Sequence, residues 1–314
     1  DVNTNPLNPV IGIRSFGADG ELVARHVAAA VRGLQGAGVA ACAKPFPGHG
    51  NTAEDSHHEL PVVETLEEAA LVPFRAAIDA GVQAIMTAHI VVRSLGDSPA
   101  TMSRELLDEL LREELGYQGL VITDALEMRA ISATVGVEEG AVRALAAGAD
   151  ALCLGHDLFD ESVVGVRDAL LEAVRSGRLS EKGLAEAASR VAGVAEWASA
   201  HGCTAGVDRE AGRIAAGRAL VCDGGALLDR PPLVVELEPE VGMAAGRLSQ
   251  LPGQWFQEVV PGSEVRRFDD YASALERAPS NLFLLARLSE VRRNAGDAPG
   301  ALEAHDRLSR ALGS

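Results

Sequence analysis

The sequence predicts an α/β protein in which parallel strands alternate with helices. Short apolar runs recur through residues 1–200, and segments with helical periodicity separate them. Each apolar run is only four or five residues long and lacks polar alternation, which is typical of parallel strands covered on both faces. Alternation of this kind builds a parallel sheet that is either open and doubly wound or closed into a barrel.

The individual elements follow from these runs and from their boundary residues. Ser103 and Ser180 are expected to cap two of the helices, and glycines end most of the others. The predicted strands are Val39–Ala43, Ala84–Ala88, Leu120–Thr123 and Ala151–Leu154. The predicted helices are Glu21–Gln35, Glu67–Asp79, Glu105–Glu114, Glu138–Ala147, Asp160–Val174 and Glu181–Ser199.

The number of strands bears on the architecture. A closed barrel needs eight strands and about 250 residues. Four strands are visible, with the end of another at Asp1–Asn3, so we expect either an open sheet or a barrel whose first strands precede this sequence.

Because 314 residues exceed the usual size of one core, a second domain is expected. Residues 201–230 are predicted to be a linker, and 231–314 a smaller α/β unit with a strand at Leu233–Leu237.

The charge balance disfavours two classes of partner. The chain has 28 Lys and Arg against 45 Asp and Glu, a net charge of −17. Such an acidic surface repels phosphate backbones and anionic lipid headgroups, so neither nucleic acid nor a membrane is expected as a partner.

The four cysteines have no metal-ligand spacing and demand no disulfides. This pattern weakly favours a reducing compartment, and we expect a cytoplasmic protein.

The densest group of polar side chains lies at residues 43–61, directly after the first predicted strand. Asp55 and His57 are two residues apart, so in an extended loop the carboxylate can reach the imidazole. A neighbouring anion raises the pKa of a histidine, which makes the ring a proton donor near neutrality and then a base. A solvated polar surface loop is the alternative interpretation.

Three further residues are candidates for a site. Asp124 follows the apolar run Leu120–Thr123, where a carboxylate is costly to bury unless it is paired or used. It could equally cap the next helix. Arg14 has a planar donor fork that can clamp a substrate hydroxyl or carboxylate, although a surface ion pair is the commoner role. His89 ends a strand and is either a core hydrogen bonder or a site residue.

Together, these stretches resemble the N-acetylglucosaminidase branch of glycoside hydrolase family 3. The branch carries a lysine, a histidine-containing glycine-rich run, a D-S-H triplet and an L-P pair in one loop, with an arginine motif upstream and an aspartate motif downstream. The corresponding stretches are N-P-V-I-G-I-R-S-F-G at 8–17, K-P-F-P-G-H-G at 44–50, D-S-H at 55–57, L-P at 60–61 and T-D-A-L-E-M at 123–128.

The resemblance implies an activity and a catalytic set. It implies a retaining exo-β-N-acetylglucosaminidase that releases terminal β-linked N-acetylglucosamine from muropeptides or chitin fragments. Asp124 is implied as the nucleophile, and His57, held by Asp55, as the acid/base. It also implies a partial TIM-type barrel over residues 1–200 and part of an α/β sandwich domain over 231–314.

Substrate-binding residues follow from the same resemblance. Lys44 and Arg14 are implied as ligands of sugar hydroxyls. His49 belongs to the same substrate-binding loop and is expected to shape it. Two positions depart from the branch: Pro45 replaces a histidine that contacts the sugar, and Asn51 stands where aspartate is usual.

Three other functions remain open. Phosphorolysis by a related enzyme fits an Asp–His acid/base, which repels phosphate less than a second carboxylate. An inactive sugar-binding remnant fits Pro45 and the missing strands. A metal-dependent hydrolase would use His49, Asp55, His57 and His58, but their spacing matches no helix-based ligand motif. We expect no metal and no cofactor.

Overall fold

The computed structural model divides the chain into two compact units, Asp1–Val207 and Asp208–Ser314. It describes residues 1–5, 8, 10–11, 14–52, 60–155 and 160–202, then 210–212, 214, 218 and two later strands. The first unit contains strands β1 (Cys42–Phe46), β2 (Val62–Val63), β3 (Ala84–Thr87), β4 (Val91–Val92) and β5 (Leu120–Ile122). Its helices are α1 (Gly20–Gly36), α2 (Glu68–Asp79), α3 (Arg129–Ser132), α4 (Val137–Ala147), α5 (Asp160–Arg175) and α6 (Glu181–Ala200), with a π-helix at Glu105–Glu114.

A parallel sheet forms the centre of this unit. Its strand order is β1-β3-β5, and Ala84 pairs with both Cys42 and Leu120. An isolated parallel bridge joins Ile122 to Ala151, and residues 152–154 form no strand, so only this bridge stands where the strand Ala151–Leu154 was predicted. Among the described residues the sheet is open, so the parallel α/β arrangement is confirmed while closure into an eight-stranded barrel stays a prediction.

Helices cover the sheet because their apolar faces are buried against it. Phe46 of β1 and Phe74 of α2 meet edge-to-face with ring centroids 5.2 Å apart. Asp19 caps α1 by accepting a 2.7 Å hydrogen bond from the Leu22 amide. The predicted cap Ser180 likewise accepts a bond from the Gly183 amide at 3.0 Å and fixes the start of α6.

The first strand lies three residues later than the sequence pattern predicts. The expected strand was Val39–Ala43, whereas β1 is Cys42–Phe46. The reason is local: the amide of Val39 bonds the Leu34 carbonyl at 3.0 Å, so this residue completes the end of α1. Val39 is accordingly half exposed instead of buried in the sheet.

The helix predicted at Glu105–Glu114 has these bounds but wider turns than an α-helix. The amide of Leu115 bonds the Leu110 carbonyl at 2.8 Å, five residues back, and this pattern defines the π-helix. Ser103 accepts a 3.3 Å bond from the Leu106 amide, as its predicted capping role requires.

Two short strands and part of the second unit were not predicted. β2 and β4 pair in parallel, with Val62 opposite Val91. In the second unit, β6 (Leu233–Leu237) coincides with the predicted strand and pairs in parallel with β7 (Glu264–Phe268). The rest of the predicted α/β unit at 231–314 lies outside the described residues, so the sandwich domain stays a prediction. Over the part of the chain that the structure describes, no helix combines the length and apolar character needed to cross a membrane.

Candidate functional site

Polar side chains collect at the carboxyl ends of the parallel strands. Lys44 is the third of the five residues of β1, whereas His89 and Asp124 each lie two residues beyond the ends of β3 and β5. Since β3 and β5 are parallel neighbours, His89 and Asp124 share the carboxyl edge of the sheet. β1 and β5 are separated by a single strand, so Lys44 and Asp124 lie on strands about 10 Å apart.

The two carboxylate oxygens of Asp124 have different surroundings. Oδ1 accepts a 2.9 Å hydrogen bond from the backbone N–H of Ala125, while Oδ2 has no hydrogen-bond partner in the described residues. The preceding residue is fixed, because Thr123 donates its amide to the Ala151 carbonyl at 3.0 Å and accepts the Cys153 amide at 2.9 Å. Asp124 therefore presents one oxygen from a well-anchored strand end.

His89 bridges β3 to the chain that follows β5. Its side chain is 1% exposed, its Nε2 lies 2.9 Å from the Ala125 carbonyl, and its Nδ1 lies 2.7 Å from Thr101 Oγ1. Thr101 is fully buried and donates to the Ala88 carbonyl at 2.9 Å. Of the two roles predicted for His89, the structure supports a buried hydrogen bonder that also touches the residue after Asp124.

Arg14 and Lys44 line one cavity of about 170 Å³ together with Asp1, and most of the other lining residues are apolar side chains of α1, β1 and α2. Both cationic side chains belong to exposed residues. Arg14 donates from Nη2 and Nε to the Val10 carbonyl at 2.6 and 3.1 Å, which folds the side chain over its own turn. The structure thus brings the two predicted hydroxyl ligands together, and their binding role stays a prediction.

Cys42 reports the electrostatics between Lys44 and Asp124. Cys42 is an exposed residue, but the protein atoms around its sulfur displace water and raise the pKa of the thiol to about 11; Lys44 opposes that rise, and the carboxylate of Asp124 adds to it. Because both charged groups act on one sulfur atom, Cys42 lies within electrostatic range of each of them. Its position two residues before Lys44 puts the two side chains on the same face of β1.

His49 is buried and takes part in a polar network beneath the loop. Its ring Nδ1 lies 2.5 Å from Thr52 Oγ1, and its carbonyl accepts the Asn8 side-chain amide at 2.7 Å. Asn8 also donates to the Thr52 carbonyl at 3.1 Å. Only 3% of His49 is exposed, which favours its expected role in shaping the loop over direct contact with substrate.

Close packing of backbone on backbone holds the same loop. A Cβ at Gly50 would collide with the carbonyl of Val2, so only glycine fits there. Pro45 and Pro47 both follow cis peptide bonds. Asn51 reaches the Glu67 carboxylate at 3.5 Å.

The predicted acid/base pair, Asp55 and His57, lies outside the described residues, as does His58. The segments on either side are described. Thr52 is buried on one side, and on the other the Pro61 carbonyl accepts the Val91 amide at 2.9 Å. The β2–β4 pair therefore ties residues 61–63 to the chain that follows His89.

Glu127 was not singled out from the sequence. Its Oε2 is buried and lacks a hydrogen-bond partner within the described part of the chain. The carboxylate lies against Gly155, where it occupies the place a Cβ would take. The signal that could have revealed it is a second acid, three residues after Asp124, in the same strand-end motif.

A metal site is not found among the described residues, where no group of three or more His, Cys, Asp and Glu side chains converges. Three of the four ligands considered in the metal hypothesis, Asp55, His57 and His58, lie outside those residues. The metal hypothesis is therefore untested.

A parallel sheet with polar side chains at the carboxyl ends of its strands is the arrangement that α/β enzymes use for their active sites. The profile described as "Glycosyl hydrolase family 3 N terminal domain" matches residues 1–194, and the chain belongs to this family. The family resemblance drawn from the motifs is thereby confirmed.

Individual relatives agree with this assignment. Beta-hexosaminidase A of Pseudoalteromonas piscicida is 36% identical over 61% of this chain and 36% of its own length. A beta-hexosaminidase of Stenotrophomonas maltophilia is 37% identical over 56% of each chain. A family 3 beta-N-acetylglucosaminidase from Paenibacillus sp. str. FPU-7 superposes with a TM-score of 0.78 at 37% identity, over 92% of this chain and 64% of that one. The chain thus spans between about a third and two thirds of these relatives' lengths.

Proposed function

We propose that the protein is a retaining exo-β-N-acetylglucosaminidase with Asp124 as its nucleophile. The observation that carries the proposal is the setting of Asp124: it ends a buried parallel strand, and its Oδ2 has no hydrogen-bond partner among the described residues. Relatives named beta-hexosaminidase and beta-N-acetylglucosaminidase support the substrate class. The substrate would be a small carbohydrate with a terminal β-linked N-acetylglucosamine, such as a muropeptide or a chitin fragment.

The proposed reaction is a double displacement. An electron pair on Asp124 Oδ2 forms a bond to the anomeric carbon, while the bond from that carbon to the leaving oxygen breaks and its electron pair stays on the oxygen. His57, oriented by Asp55, would give that oxygen a proton. In the second step His57 would take a proton from water as the water oxygen bonds the anomeric carbon, and the Asp124 carboxylate is released.

Lys44 and Arg14 are proposed to bind sugar hydroxyls. Both line the cavity at the β1 edge, and the pKa of the Cys42 thiol is lowered by Lys44 and raised by Asp124. A hydroxyl-binding cation on the strand two places from the nucleophile would hold the ring over Asp124. His49 would act indirectly, by keeping the loop in shape from beneath.

The test is substitution of Asp124 combined with covalent labelling. Asp124→Asn should lower turnover of an aryl N-acetylglucosaminide by about 10⁴-fold, since the nucleophile is lost while the shape is kept. Asp168→Asn is a matched control, because Asp168 is an exposed acid paired with Arg167 on α5. A fluorinated sugar that traps the intermediate should label the peptide containing Asp124. Unchanged turnover of Asp124→Asn, or a label on another peptide, would refute the proposal.

A phosphorolytic reaction is the second candidate. Arg14 and Lys44 place two cationic side chains at one cavity, and such a pair attracts phosphate as well as hydroxyls. Comparing rates with and without inorganic phosphate separates the two reactions. A phosphate-dependent rate with a sugar 1-phosphate product would establish phosphorolysis, whereas a phosphate-independent rate with free sugar would establish hydrolysis.

A further inference from the structure

We propose that His89 is a positioning residue for Asp124 and acts through the backbone of Ala125. The inference rests on the proposed role of Asp124 as nucleophile. It concerns which contacts hold the nucleophile still, and it assigns His89 no contact with the substrate.

The geometry links the three residues directly. The N–H of Ala125 donates to Asp124 Oδ1 at 2.9 Å, and the C=O of the same alanine lies 2.9 Å from His89 Nε2. A carbonyl oxygen can only accept, so His89 carries a proton on Nε2 and donates it. The backbone of Ala125 is thus held at two points: its N–H by the carboxylate of Asp124, and its C=O by the imidazole of His89.

The bond from His89 is not needed merely to satisfy a buried carbonyl. The Ala125 oxygen already accepts the Met128 amide at 3.2 Å. A buried carbonyl with one partner meets the usual requirement for pairing. The additional, shorter bond from His89 therefore fixes where the carbonyl points, and with it the N–H that orients Asp124.

The imidazole is itself held rigidly. Its Nδ1 meets Thr101 Oγ1 at 2.7 Å, and Thr101 Oγ1 lies 2.8 Å from Thr87 Oγ1. His89 and both threonines are at most 1% exposed. The ring thus holds the chain after β5 at a fixed distance from β3. Because Oδ1 of Asp124 bonds the Ala125 N–H, Oδ2 is left as the attacking oxygen.

Loss of His89 should therefore act on the chemical steps. A misplacement of about 1 Å at a reacting group lowers rates on the order of 10²-fold. We expect His89→Leu to lower kcat about 10- to 100-fold while a competitive inhibitor binds as it does to the wild-type protein. Both displacement steps should slow, because Asp124 is the nucleophile in the first and the leaving group in the second.

The experiment counts active sites as well as rates. Wild-type protein, His89→Leu and His89→Gln are titrated with the fluorinated sugar that labels the nucleophile, and kcat is expressed per labelled site. A merely structural role would lower the number of sites and leave kcat per site unchanged. The amide of His89→Gln can still donate to the Ala125 carbonyl, so this variant should recover at least part of the loss.

Thr101→Val supplies the matched control. It removes the hydroxyl at Nδ1 and keeps the Nε2 bond, so its kcat per site should fall less than that of His89→Leu. Equal kcat per site in His89→Leu and wild type would overturn the inference, as would a loss in His89→Gln as large as that in His89→Leu. If Asp124→Asn abolishes turnover while His89→Leu is unaffected, only this inference fails; if Asp124→Asn remains active, the proposed function fails first.

Discussion

Asp150 accepts a 2.8 Å hydrogen bond from the backbone N–H of Val121, three residues before Asp124. The Val121 carbonyl in turn accepts the amides of Asp150 at 2.8 Å and Ala151 at 3.1 Å. Hydrogen bonds at Val121 and, separately, at Thr123 therefore join β5 to residues 150–153. Asp124 directly follows these two anchored positions.

Removing the Asp150 carboxylate should destabilise the protein strongly. Its side chain is 2% exposed and pairs with Arg112 at 2.6 Å and Arg190 at 2.8 Å. Asp150→Ala would leave a buried arginine and the Val121 N–H without their partner, at a cost of about 3–5 kcal/mol. Urea unfolding measures this.

Arg190→Ala is the matched comparison for Asp150→Ala. The Arg190 side chain is 30% exposed, and its loss still leaves Asp150 paired with Arg112. Its cost should therefore be clearly smaller than that of Asp150→Ala. Equal costs for the two variants would contradict this account of the network.

The sequence revealed the fold where local pattern and long-range pairing agree. Ala84–Ala88 was predicted, and β3 is Ala84–Thr87, because a short apolar run without polar alternation is typical of a buried strand. Val39 was wrongly predicted to lie in a strand, because its conformation depends on the hydrogen bonds that end α1. β2 and β4 are two residues each, and only their mutual pairing makes them strands, so no local periodicity could reveal them.

The site shows the same division between local and long-range information. Asp124 was recognisable because a carboxylate at the end of an apolar run is unusual whatever surrounds it. In the network of Asn8, His49 and Thr52, the bonded residues are separated by 41 and by 44 positions in the sequence. Contacts between such distant residues cannot be predicted from composition. Glu127 escaped notice because its burial depends on how Gly155 approaches it.

Labelling of Cys42 should report the charges around the site. With a thiol pKa of about 11, little thiolate exists at pH 8, so alkylation should be roughly 100-fold slower than in denatured protein and should rise with pH. Asp124 raises this pKa and Lys44 lowers it. Asp124→Asn should therefore speed labelling at pH 8, and Lys44→Met should slow it.

Peptide mapping with Cys42→Ser as a blank identifies the labelled sulfur. Identical labelling rates in wild type, Asp124→Asn and Lys44→Met would show that neither charge reaches Cys42. That result would remove the electrostatic support for placing Lys44 and Asp124 around one site.

Glu139 should make stability depend on pH in the acid range. A hydrogen bond from Arg178, and secondly one from Arg143, lowers the pKa of Glu139 from 4.5 to about 2. A carboxyl with a lowered folded-state pKa contributes stability above its unfolded pKa and loses it as pH falls through the folded value. The Tm difference between wild type and Glu139→Gln should therefore be largest above pH 4.5 and vanish near pH 2.

The two arginines near Glu139 allow an internal check. Arg178 lies beyond α5 and is the larger cause of the lowered pKa, so Arg178→Gln should reduce the acid dependence more than Arg143→Gln. A Tm difference for Glu139→Gln that stays constant from pH 6 to pH 2 would show that the carboxyl titrates normally in the folded protein.

Glu127 and Gly155 should be energetically coupled, because one fills the space that the other leaves. Gly155 has a φ of +78°, and a Cβ there would collide with the Glu127 carboxylate. Gly155→Ala therefore combines an unfavourable backbone conformation with displacement of a buried charged group, and we expect a cost of about 2–4 kcal/mol. In a Glu127→Ala background the backbone term remains but the collision is gone, so the same substitution should cost about 1–2 kcal/mol. A double-mutant cycle by urea unfolding gives the coupling, and strictly additive costs would mean that the carboxylate does not occupy the space beside Gly155.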